Sequence, residues 1–133
     1  MLLKHYSPHV RVVVLGGSAA AALRVAQQAA AALAARGLRL GVLASEEEAP
    51  AYRALGAQVV SLGAADDLAT AARLLFAHLR ELEAQNVHLI LARALPVAGL
   101  GRAIGDRLYR AAEGQVIDAE QVGALAQVMA NSL

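Results

Sequence analysis

A chain of 133 residues with a formal net charge of +1 has the size of one domain and lacks the basic excess that draws a protein onto nucleic acid. It is 58% hydrophobic but only 3% aromatic, so leucine, valine and isoleucine must fill its core. It has no cysteine for disulfide or thiolate chemistry, no apolar run of the ~20 residues that cross a bilayer and no charged-then-apolar signal segment, which together predict a cytoplasmic chain without a membrane partner.

Residues 1–9, MLLKHYSPH, show neither alternation nor an amphipathic face and stand apart as a leader to a domain over residues 10–133. VRVVVLGG at 10–17 is a β-branched run closed by two glycines, as in a strand buried on both faces. Ser18 is placed to cap a helix running to Arg36, with Gly37 at its left-handed stop. A second strand follows at 38–44, then a short helix with Pro50 in its first turn and Gly56 at its end, then a third strand at 57–63. Asp66 and Asp67 open a longer helix to about Gln85, in which Leu68, Ala72, Leu75, Leu79 and Leu82 recur at three and four to make one apolar stripe. VHLILA at 87–92 is a fourth strand, and GLGRAIGDRLYRAA at 99–112 another helix. A weak QVI segment then leads to a last helix, for which Asp118 with Gln121 three residues on forms a capping signal.

This strand–helix alternation predicts a single Rossmann-like three-layer α/β/α domain with a mainly parallel sheet of about four to five strands. Right-handed crossovers leave few topologies, and the order 3-2-1-4 is expected, with a ligand crevice between strands one and four.

Gly16, Gly17 and Ser18 lie at the first strand-to-helix turn, where backbone N–H groups attract phosphate, although the pattern is neither G-x-G-x-x-G nor a P-loop. Glu46, heading the run Glu46-Glu47-Glu48 after the second strand, falls where a dinucleotide fold keeps its ribose-binding carboxylate. Arg93 and the glycines Gly99 and Gly101 face that turn across the expected crevice, with Arg93 the cation for a phosphate. Arg102, Asp106 and Arg110, four apart, read as a surface salt-bridge ladder. These residues would serve an ATP- or AMP-type nucleotide. The histidines His78 and His88 have no paired ligand spacing, so no metal site is expected, and no Ser-His-Asp set, nucleophile elbow or carboxylate pair supplies catalytic residues.

Three stretches occur together in order: KHYSP at Lys4 to Pro8, GVLASEEE at Gly41 to Glu48, and ALPVAGLGRAIGDRLYRAA at Ala94 to Ala112. Together they resemble the C-terminal domain of two-domain threonylcarbamoyl-AMP synthase, over roughly residues 1–112. That family joins a catalytic domain to a smaller Rossmann-like domain through a linker carrying a motif close to M-K-Y-R-H-Y-S-P. The catalytic domain uses L-threonine, bicarbonate and ATP to make threonylcarbamoyl-adenylate for tRNA modification, and the linker lies across its pocket as a lid. The resemblance sets Met1 at the motif's methionine, Lys4 at its arginine, and His5, Tyr6, Ser7 and Pro8 at their counterparts, while Leu3 replaces the first tyrosine and brings no hydroxyl. It thus implies that residues 1–9 are the remnant of an interdomain lid. The chain would then be an accessory, non-catalytic domain that docks on a catalytic synthase domain and requires no cofactor of its own. A nucleotide-binding module or sensor acting alone is the other reading.

Overall fold

A computed structural model of the chain describes residues 10–95, 99–113 and 115–130, with backbone alone at 99–101. The leader at 1–9, with Lys4, His5, Tyr6, Ser7 and Pro8, lies outside the described residues. Strands and helices alternate throughout: β1 (Val12–Gly16), α1 (Ala19–Ala34), β2 (Leu40–Ala44), α2 (Ala49–Arg53), β3 (Gln58–Ser61), α3 (Leu68–Glu83), β4 (Leu89–Arg93), α4 (Gly99–Ala111), β5 (Val116–Asp118) and α5 (Ala124–Ala130). All strand pairings are parallel, so the α/β/α architecture with a parallel sheet stands as expected.

The order of the strands does not. It is β3-β2-β4-β1-β5, so β4 lies between β1 and β2 rather than outside β1. Val12 pairs with Ile90 on one side of β4, and Leu40 pairs with Leu89 on the other. The reason lies in β4 itself. Leu89, Ile90, Leu91 and Ala92 are each no more than 1% exposed, which requires strands on both sides and helices on both faces. Right-handed crossovers are compatible with either order, so the alternation of elements cannot choose between them.

The sheet's two faces divide its side chains at the two-residue period of a strand. Val13, Leu15 and Leu91 meet Ala22, Val25 and Leu33 of α1, Tyr52 of α2 and Val128 of α5. Val12, Val14 and Ile90 meet Leu75, Leu79 and Leu82 of α3 and Ile104 and Leu108 of α4. The apolar stripe read in α3 is the one that is buried, and α4 packs beside it on the same face.

Local signals act largely as expected. The Ser18 hydroxyl accepts from the Ala21 N–H at 3.1 Å, and the Asp67 carboxylate accepts from the Thr70 N–H at 3.3 Å, so both helices are side-chain capped. Gly37 follows α1 at φ +73°, in the left-handed region where glycine carries no Cβ penalty. The last helix departs from expectation. Asp118 is the final residue of β5, paired with Gly16, and its carboxylate accepts from the Glu120 N–H at 2.9 Å. Strand pairing thus claims Asp118, and α5 starts only after Gly123, whose φ of +87° turns the chain. The Arg102–Asp106–Arg110 ladder is absent too: no ion pair within 4.0 Å joins these residues, which all stand exposed on α4.

Candidate functional site

Parallel strands that all point the same way gather their carboxyl ends, and the loops that follow, along one edge of the sheet. The β1–α1 turn, the β2–α2 loop, the β3–α3 loop and Arg93 at the end of β4 all sit there.

Arg93 ties this edge together. The register places it opposite Leu15 of β1. Its Nη1 donates to the Leu15 carbonyl at 2.7 Å and its Nη2 to the Gly17 carbonyl at 3.0 Å. Its Nε donates to Glu48 Oε1 at 2.9 Å, at the N-cap position of α2. The side chain is only 11% exposed and that of Glu48 28%, so the pair is partly desolvated and its hydrogen bonds are charge-assisted. One guanidinium therefore fixes the end of β1, the glycine turn and the start of α2.

The glycine turn is occupied by the chain's own carboxylate. Glu120 Oε2 accepts from the Ser18 N–H at 2.8 Å, in the position where an anion meets a helix N-terminus. Asp118, holding the Glu120 N–H, fixes the loop that delivers it. The packing is close: a Cβ on Gly17, whose φ is +94°, would stand 3.1 Å from Asp118 Oδ1 and 3.3 Å from the Ala119 nitrogen. Gly17 meets both demands because it lacks that atom.

The three glutamates after β2 take different roles. Glu46 is exposed, its side chain without a hydrogen-bond partner among the described residues, and its backbone N–H donates to the Gly63 carbonyl at 2.8 Å. Glu47 Oε1 accepts from the Ala65 N–H at 2.9 Å, tying this loop to the one after β3. Glu48 alone reaches Arg93. Tyr52, four residues on and so on the same side of α2, is 2% exposed, and its hydroxyl has no hydrogen-bond partner among the described residues. Burial pushes its phenol up to about 12; the nearby Arg93 charge acts against the shift and Glu48 acts with it.

Beside Arg93 lies a cavity of about 140 Å³, bounded by Ser45 and Glu48 on its polar side and by Leu62, Leu68 and Leu95 on its apolar side. It is close to the ~150 Å³ that holds one benzene ring, and far from the space a nucleotide fills. Gly99 and Gly101 belong to the first turn of α4. Sequence reasoning brought Gly16, Gly17, Ser18 and Arg93 to one edge, and there they meet. It did not find Glu48, Asp118 or Glu120 as their partners. Nothing local marks Glu120, 102 residues from Ser18.

Among the described residues no group of three metal-ligating side chains occurs. His88 Nδ1 accepts from the Arg39 N–H at 2.9 Å at the opposite edge of the sheet, and His78 lies 4.0 Å from Glu81 on α3. No described helix is long and apolar enough to cross a membrane.

These features define an open, doubly wound parallel α/β domain whose carboxyl-end edge is knitted by its own side chains. The chain belongs to the family described as threonylcarbamoyl-AMP synthase, C-terminal domain, whose profile matches residues 1–113. It is 35% identical over 117 residues to the threonylcarbamoyl-AMP synthase of Bacillus subtilis (strain 168), covering 88% of this chain and 32% of that protein. Its fold matches P. abyssi Sua5 complexed with L-threonine at a TM-score of 0.69, with 29% identity over 86% of this chain and 32% of the other. A variant of P. abyssi Sua5 with a histidine and a tyrosine each replaced by alanine matches at 0.66, with 29% identity over 84% of this chain and 30% of the other. The chain thus spans about a third of the length of the relatives it matches.

Proposed function

We propose that the chain is the accessory, non-catalytic domain of a threonylcarbamoyl-AMP synthase system and acts by docking on a catalytic domain that makes the adenylate from L-threonine, bicarbonate and ATP. The observation that carries this reading is the family match over residues 1–113 combined with coverage of only 32% of the Bacillus subtilis synthase. Residues 1–9 serve as the interdomain linker, with Lys4, His5, Tyr6, Ser7 and Pro8 reaching over the catalytic pocket, and residues 10–133 form the docking domain. The position of Val10 supports this division. Its N–H donates to Glu83 Oε2 at 3.1 Å at the amino-end edge of the sheet, so a linker over residues 1–9 joins the docking domain at the edge opposite Arg93.

The alternative, a nucleotide-binding module using Gly16, Gly17, Ser18, Glu46, Arg93, Gly99 and Gly101, is less favoured. An incoming phosphate would have to displace Glu120 from the Ser18 N–H, and the cavity of about 140 Å³ is small for a nucleoside. Sedimentation of the chain with an isolated catalytic domain of the family separates the readings. The docking reading expects a complex that survives substitution of Lys4 to Pro8 by alanine only in weakened form. Two independent boundaries at micromolar concentration, together with a rise in melting temperature on adding ATP or AMP, would favour the module instead.

A further inference from the structure

The Arg93 cavity holds bonding capacity that the fold leaves unused. A guanidinium has five N–H donors, and three of Arg93's are committed, to Leu15, Gly17 and Glu48. One hydrogen remains on each Nη. Glu48 holds Arg93 through Oε1 only, which leaves Oε2 as an acceptor. The Ser45 oxygen accepts from the Glu48 N–H at 3.3 Å, and its own hydrogen is uncommitted. A cation with two open donors, an anion with an open acceptor and the Ser45 hydroxyl therefore line the polar end of a cavity whose other walls include Leu62, Leu68 and Leu95.

A simple anion suits this place poorly, because Glu48 repels what Arg93 attracts. A simple cation meets the reverse problem. A molecule carrying both charges on adjacent atoms satisfies both groups without leaving either unpaired. We propose that this cavity binds a small zwitterionic α-amino acid with a short apolar side chain, its carboxylate on the unused Arg93 hydrogens, its ammonium on Glu48 Oε2 and its side chain among Leu62, Leu68 and Leu95. At about 140 Å³, room for about one benzene ring, the cavity holds a whole amino acid the size of valine, whereas the ring of an aromatic one would fill it and leave no space for the charged groups. The site lies at the edge of the sheet opposite Val10, and the assignment stands independently of whether the chain assists a synthase.

The test is a titration of the whole chain, followed by amide NMR shifts, with L-valine, isobutyrate and isobutylamine, which carry both charges, the carboxylate alone and the ammonium alone. L-Valine is expected to give saturable millimolar shifts centred on Ser45, Glu48 and Arg93, with each half-ligand at least about tenfold weaker. Glu48→Gln should weaken L-valine about tenfold while leaving isobutyrate unchanged or tighter. Leu68→Phe, which fills the cavity without touching the ion pair, should abolish L-valine binding in a folded protein, so the test survives a loss of folding in the Glu48 variant. Absence of saturable shifts with L-valine overturns the proposal. So do isobutyrate binding as tightly as L-valine, or L-valine binding undiminished by Leu68→Phe.

Discussion

The two edges of the sheet are held by different chemistry. At the carboxyl-end edge one guanidinium makes three bonds to three segments, and two carboxylates from distant loops fill the backbone donors at Ser18 and Ala65. At the amino-end edge side-chain acceptors meet backbone donors, Glu83 on Val10 and His88 on Arg39, the latter beside a backbone bond from the His88 N–H to the Arg39 carbonyl. The first edge behaves as a network in which removing one member strands several partners, and the second as separate clips whose losses add. The first edge carries the cavity, and Val10, the first described residue, lies at the second.

The largest test of this contrast is Arg93→Ala. It leaves Glu48 half-buried without its cation and the Gly17 carbonyl without its donor, while the Leu15 carbonyl keeps the Ala94 N–H, and should cost about 3 kcal/mol in a denaturant titration. A loss below about 1 kcal/mol would mean the network is no stronger than the clips opposite. Next comes the alkaline limb of stability. The folded state holds the Tyr52 proton to about 12, whereas the unfolded chain releases it near 10.0. The stabilisation is therefore complete below the lower value and falls at about 1.4 kcal/mol per pH unit as pH rises towards the upper one. Tyr52→Phe should remove this slope and, because the hydroxyl has no partner among the described residues, cost little or nothing near neutral pH. Denaturation midpoints of the two proteins across that range supply the comparison.

Smaller effects are expected where one bond is lost. Ser18→Ala removes the α1 cap and should cost about 1 kcal/mol. His88→Ala at the other edge should cost about 0.5 kcal/mol, because the Arg39 N–H it frees is exposed to water. Combining Ser18→Ala with Glu120→Ala should be non-additive, since both act on the same helix terminus, whereas His88→Ala should add to either. Thermal or chemical denaturation of the single and double variants reads this directly.

What the chain reveals before folding follows the range of the forces involved. Caps and stops act within three or four residues, so Ser18, Asp67, Gly37 and Gly56 announce the helix ends they make. Periodicity likewise marks Leu75, Leu79 and Leu82 as the buried stripe of α3. The order of strands depends on which neighbour β4 takes, a long-range choice that alternation alone does not encode. The same holds for the site. Arg93 stands out as a cation at the end of a strand, but its engagement by Leu15, Gly17 and Glu48 follows from β4 lying against β1 and from α2 starting beside both. Asp118 shows the opposite failure: a sound local cap signal is overridden because its residue pairs with Gly16 in β5. The relation to the synthase family, by contrast, is legible directly in KHYSP and in the stretch from Ala94 to Ala112, because it depends on residue identities rather than on neighbours in space.

The central claim is that this domain works through a catalytic partner, and one measurement bears on it most directly. The chain is titrated into an isolated catalytic domain of the family while threonine-dependent pyrophosphate release from ATP is followed. The account predicts no release by the chain alone and a saturable change in the partner's rate, diminished when Lys4 to Pro8 are replaced by alanine. A partner rate that stays flat at every concentration of the chain, or release by the chain alone, would contradict it.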